Sequence, residues 1–154
     1  MNFADIANKK LADIERPPLA PPGMYRWQIV KIPTSENVAN DAYTNVTFTC
    51  KAVEAYDSVD ADDLAAFGGI KNVASQFRFL FDNNDATKFD QTLFRLRTFL
   101  EKHLAIDGAE KMSLNEAMNA AVNQQFDGNF FHRPDKNDKE LFYGEIQKTA
   151  PVRE

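Results

Sequence analysis

Cysteine is nearly absent: Cys50 stands alone among 154 residues, so no disulfide can form within the chain. That fits a reducing cytoplasm. Long apolar runs are missing too, and nothing approaches the roughly 20 residues a membrane-spanning helix needs. The opening stretch, MNFADIANKKLADIERPP, carries acids and has no apolar centre, so no secretion signal is expected. Histidine is scarce, with His103 and His132 only, and no Cys/His grouping has zinc-ligand spacing. Glycine fingerprints for phosphate or dinucleotide binding are lacking; FGGI is too short and opens no long helix. No nucleophile elbow occurs. Catalysis therefore has little to stand on, and the expectation is a protein that is not an enzyme and uses no cofactor. Excess positive charge is also missing. The formal net charge of −5 argues against a simple polyanion binder.

What is present is an ordinary globular composition, 44% hydrophobic and 27% charged, at a length that suits one domain. Thirteen phenylalanines are enough to fill a core and leave rings for a surface. The charge is uneven. Residues 1–70 hold 6 basic and 10 acidic side chains, whereas residues 86–104 set Lys88, Arg95, Arg97 and Lys102 against Asp90 and Glu101. Nucleic-acid binding needs a local basic path, not a basic total.

Two parts are predicted: an N-terminal helical arm with a proline-rich connector over 1–22, and a single domain over 23–152. FADIANKKLADI, residues 3–14, reads as a short amphipathic helix, and four prolines in ERPPLAPPG make a stiff extended connector. Strands follow. MYRWQIVKI alternates, with Tyr25, Trp27 and Ile29 on one face and Arg26 and Gln28 on the other. TNVTFTCKAVEAY places Val46, Phe48, Cys50 and Ala52 opposite Thr47, Thr49 and Lys51. A short helix is predicted over Ala61–Phe67, capped by Asp60 and stopped by Gly68-Gly69. The third strand, NVASQFRFLFD, stacks Phe77, Phe79 and Phe81 against Gln76, Arg78 and Leu80. Asn83–Asp85 then turn the chain into a helix from about Ala86 to Leu104, striped by Phe89, Leu93, Leu96 and Leu100. A further helix opens at the S-x-x-E capping box of Ser113 and Glu116. QFDGNFFHR and ELFYGEIQKT close the chain as a hairpin around PDKND.

Three strands, a long helix and two strands form the order of a β-rich, five-stranded Greek-key barrel of the oligonucleotide/oligosaccharide-binding (OB) type, with its helix between strands 3 and 4. Other β-rich domains share that order. The acidic run Asp57, Asp60, Asp62, Asp63 is the one metal candidate; it lacks the calcium-loop glycine and glutamate, and reads as a solvated loop with a helix cap. The stronger signal is aromatic and basic residues interleaved on strands, the chemistry of single-strand binders. By strand parity Arg26, Lys51 and Arg78 face away from the core, and the final hairpin adds Phe131, Arg133, Lys136, Lys139 and Tyr143.

ERPPLAPPGMYRWQIV, VDADDLAAFGGI, LFRLRTFLEKHLAI and HRPDKNDKELFYGEIQKTAPV together resemble small phage single-stranded DNA-binding proteins with an OB barrel, over roughly residues 15–152. The resemblance implies a sequence-nonspecific role in phage DNA replication or recombination, in the cytoplasm of an infected bacterial host. Its implied partners are single-stranded DNA and phage replication proteins, with no membrane. One departure is plain: the chain ends KTAPVRE, without the acidic tail by which many such proteins recruit partners. The competing expectation is a self-assembling virion-structural or interaction domain, a homo-oligomer without nucleic-acid binding. A small enzyme or nuclease is the third.

Overall fold

A computed structural model describes residues 2–14, 17–37, 41–138 and 141–153, excepting the side chains of 34–37. Lys139 of the hairpin and residues 38–40 of the first loop lie outside the described residues. Five strands are present among the described residues: β1 (Gly23–Asn37), β2 (Tyr43–Ala55), β3 (Ala74–Asp82), β4 (Gln125–Pro134) and β5 (Phe142–Ala150). Four α-helices accompany them among the same residues: α1 (Phe3–Ala7), α2 (Ala61–Phe67), α3 (Ala86–Thr98) and α4 (Leu114–Ala120). The strands form one antiparallel sheet in the order β3-β2-β1-β4-β5. The sheet is open: β3 and β5 are its edges, and no ladder joins them.

The core follows the alternation in the strands. Tyr25, Trp27 and Ile29 of β1, Phe48 and Cys50 of β2, Phe79 and Phe81 of β3, and Phe126 and Phe130 of β4 are buried together. Burial pushes the Cys50 thiol up to about 12, so it sits in the core as a small apolar group. β1 outruns its predicted length, pairing with β2 as far as Asn37; its register shifts three times, and Pro33 falls within one of these irregularities, where a missing N–H breaks no regular ladder.

α2 has its expected bounds: Asp60 accepts from the Asp63 amide at 2.9 Å, and Gly68 closes the helix at φ 112°. Helix α3 ends earlier than predicted. It widens at Phe99–His103 into a π-type turn, with the Leu104 amide donating to the Phe99 carbonyl at 2.8 Å. α3 packs on β3 and the π-turn packs on β5, so this segment bridges the two sheet edges.

The N-terminal arm departs from expectation. Instead of one helix over 3–14 there is a five-residue helix and a separate single turn at Leu11–Asp13, with every described arm residue exposed. A short helix that buries no face has no tertiary packing to sustain it. The connector, by contrast, ends inside the domain. Ala20 and Pro21 are buried; the Tyr25 hydroxyl donates to the Pro21 carbonyl at 2.5 Å, and His132 Nε2 donates to that of Ala20 at 2.7 Å.

At the other terminus, the tail is pinned by Asp127, a carboxylate only 2% exposed. It accepts from the Tyr56 hydroxyl at 2.7 Å and the Arg153 amide at 3.0 Å, and the Arg153 guanidinium lies 3.8 Å from the Tyr56 ring centroid. Asp127→Ala should lower unfolding free energy by about 1.5–3 kcal/mol, the scale of a hydrogen bond to a charged group in a buried place. Urea melts that overlay those of the wild type would show that the cluster holds nothing.

Candidate nucleic-acid interface

The open edges border a groove. Cα atoms of β3 and β5 approach within 8 Å in places. Beside that approach lies a cleft of about 1140 Å³. Ser75–Phe79 of β3 and Tyr143–Thr149 of β5 line it, with Phe94, Arg95, Thr98, Phe99 and His103 from the helix and Arg133–Asn137 from the last hairpin.

Its charge is opposite to that of the chain. Among the described residues, five Lys/Arg side chains (Arg78, Arg95, Arg133, Lys136, Lys148) and two carboxylates (Asp135, Glu145) line the groove, a formal balance of +3 in a protein of −5. Two rings are available at its surface, Phe94 at 64% exposure and Tyr143 at 49%. Low-lying Phe79 and Phe99 are buried beneath and give the groove an apolar base.

Several of these groups are pre-positioned. Arg78 donates to the side-chain oxygen of Gln76, two residues before it on the same face of β3. The Arg95 guanidinium lies 6.0 Å from the Phe79 ring centroid, at the outer limit of a cation–π contact. In the hairpin, Asp135 accepts from the Asn137 amide at 2.7 Å and from the Tyr143 hydroxyl at 2.8 Å, tying the ring to the turn. Arg133 lies 3.4 Å from Glu145 across the β4–β5 ladder. His103 shares a hydrogen bond with Thr149 Oγ1 at 2.7 Å, and burial lowers its pKa from the ordinary imidazole value. Neutral His103 thus shapes the groove without adding charge at pH 7.

Of the residues expected from sequence, Arg78, Arg133, Lys136 and Tyr143 meet in this groove. Arg26, Lys51 and Phe131 do not line it. Arg26 is bound up elsewhere: it pairs with Glu54 at 3.2 Å and donates to the Tyr56 hydroxyl at 3.1 Å and the Arg153 carbonyl at 3.1 Å. Lys51 is exposed on the same sheet face as Arg78. It pairs with Ala74, four residues along β3 from Arg78, about 13 Å away at the usual strand rise. Phe131 is half-buried on β4. The expected path Arg26–Lys51–Arg78 across three strands is therefore not one continuous track.

Phe94, Arg95, His103 and Lys148 are the groove residues that strand parity missed. For Phe94, Arg95 and His103 the signal was the local basic excess of 86–104, whereas Lys148 of β5 had none; the placement of all four needed the gap between β3 and β5, which no local pattern encodes. Asp60 of the acidic run is occupied as the α2 cap, and no group of three or more His, Cys, Asp or Glu among the described residues is arranged to hold a metal ion. Neither models of protein families nor curated proteins match the chain.

Proposed function

We propose that this protein binds single-stranded DNA, with little sequence preference and without catalysis, along the groove between β3 and β5. The observation that carries the reading is the concentration of +3 formal charge and two exposed rings in one cleft of an acidic chain. A single strand offers phosphates to the cations and unstacked bases to the rings. Duplex DNA has its bases already stacked and offers only phosphates.

The open sheet reads as a partly open OB-type barrel. Support comes from a long, irregular β1 that pairs with both β2 and β4, from edges β3 and β5 that approach each other in places without pairing, and from the helix between β3 and β4. The β4–β5 hairpin then occupies a loop position used for ligands in that fold. The role in phage replication or recombination, with replication proteins as partners, rests on the sequence resemblance.

Fluorescence anisotropy with labelled single- and double-stranded oligonucleotides at two salt concentrations tests this. Tight, salt-sensitive binding of the single strand and much weaker binding of the duplex are expected. Equal affinities would remove the stacking part. Phe94→Ala should weaken single-strand binding by about 1–3 kcal/mol, the usual value of one stacked base, with the salt slope nearly unchanged. An unaltered affinity would take Phe94 out of the site.

A second reading, self-assembly, draws on the arm. Phe3, Ile6, Leu11 and Ile14 are all more than half exposed and meet no core. A stable oligomer that binds no oligonucleotide would favour it.

A further inference from the structure

β5 is interrupted where it lines the groove. Gln147 pairs with Asn129 and Ala150 pairs with Asp127, so Lys148 and Thr149 together face the single residue Gly128. This is a bulge, and Lys148 occupies it with φ 53°, the left-handed region that a long side chain rarely adopts. Glycine would take that conformation without the steric clash.

The surroundings hold the bulge firmly. Thr149 is bonded to His103 at 2.7 Å, which fixes one side of the bulge to the π-turn. On the other side, the Gly128 carbonyl accepts from the Trp27 indole at 3.0 Å. A Cβ on Gly128 would stand 2.7 Å from Ile146 Cγ2, so the bulge also packs closely. Lys148 itself is exposed, lines the groove, and makes no ion pair among the described residues. Thr149, Gly128 and Ile146 are held by packing or hydrogen bonds, whereas the lysine side chain is exposed at the groove. Strained conformations persist where the surroundings impose them, and bulges commonly re-aim a side chain beside a functional site.

We infer that the β5 bulge exists to present the Lys148 ammonium to a backbone phosphate of the strand in the groove, at the expense of local stability. This rests on the single-strand reading above and adds a specific contact to it. The ligand chemistry is a phosphodiester oxygen; a lysine serves it as a mobile point charge without a fixed geometry.

The test uses Lys148→Gly, Lys148→Asn and Lys148→Arg with a fluorescein-labelled oligothymidylate, beside Phe94→Ala. Lys148→Gly and Lys148→Asn should melt at or above the wild-type temperature, by up to about 2–4 °C, because both residues accept a left-handed backbone. Both should bind about fivefold more weakly at 0.1 M salt and show a salt slope shallower by about 0.7, as for one lost phosphate contact. Lys148→Arg should keep affinity and slope. If Lys148→Gly binds with unchanged affinity and slope while Phe94→Ala is weakened, the groove stands and the lysine contact is overturned. If Lys148→Gly melts several degrees lower, the lysine is structural and the inference is equally overturned. Absence of oligothymidylate binding by the wild type would instead sink the single-strand reading itself.

Discussion

Leu96→Ala is expected to lose about 2–5 kcal/mol of unfolding free energy, the range for emptying a fully buried leucine site. Leu93→Ala, three residues earlier on the same helix, is expected to lose about 1 kcal/mol or less. Leu96 is 0% exposed and Leu93 is 37% exposed. The hydrophobic stripe read from sequence gave them equal standing, through Phe89, Leu93, Leu96 and Leu100. The helix in fact buries Thr92 and Leu96, and the π-turn after it buries Phe99 and Leu100. The rotation has a visible cause. β3 is an edge strand, and the Thr92 hydroxyl donates to its Leu80 carbonyl at 3.3 Å. A hydroxyl that supplies an edge carbonyl with a partner belongs against the sheet, which turns Leu93 outward. Matching melts for Leu96→Ala and wild type would contradict this placement.

The helix shows what was legible and what was not. Its existence and start were plain, because Asp85 is a good cap and accepts from the Lys88 amide at 3.1 Å. Strand faces were legible for the same local reason: alternation assigned Phe48, Phe77, Phe79 and Phe81 to the core, and all are buried except Phe77, which packs on the core half-buried where it lines the groove. What the pattern lacked was long-range. Whether β3 and β5 pair or stay apart is decided by strands sixty or more residues apart in sequence. The groove they leave, and the orientation of α3 over it, follow from that one outcome. Arg26 illustrates the same limit: parity turned it away from the core correctly, but Glu54, Tyr56 and Arg153 wait for it there.

The triple variant Arg78→Ala, Arg95→Ala, Lys136→Ala is expected to bind single-stranded DNA about a hundredfold more weakly at 0.1 M salt. Each phosphate contact to a single strand contributes about 0.7 to the slope of log affinity against log salt. Three lost contacts flatten that slope by about 2. Between 1 M salt, where counterion release contributes nothing, and 0.1 M, the same three contacts are worth about two decades, or roughly 2.8 kcal/mol. All three side chains are exposed, so the fold should be little affected. Exposed cations away from the groove serve as the control: Lys71→Ala with Lys111→Ala should leave both affinity and slope near wild type. Equal losses in the two variants would mean that binding is diffuse electrostatics with no site. Arg26→Ala is a different matter, since that guanidinium sits in the Asp127 cluster, and its removal should register in melts before it registers in binding.

The location of the strand can be read without any variant. Wild-type protein is photocrosslinked to a bromodeoxyuridine-substituted single-stranded oligonucleotide, and the modified peptides are mapped by mass spectrometry. Crosslinks should fall on the segments that line the groove, above all those carrying Phe94 and Tyr143, with competition by unlabelled single strand but not by duplex. Crosslinks confined to Phe131 and the strand residues around Arg26 and Lys51, or none above a denatured control, would contradict a single-strand site between β3 and β5.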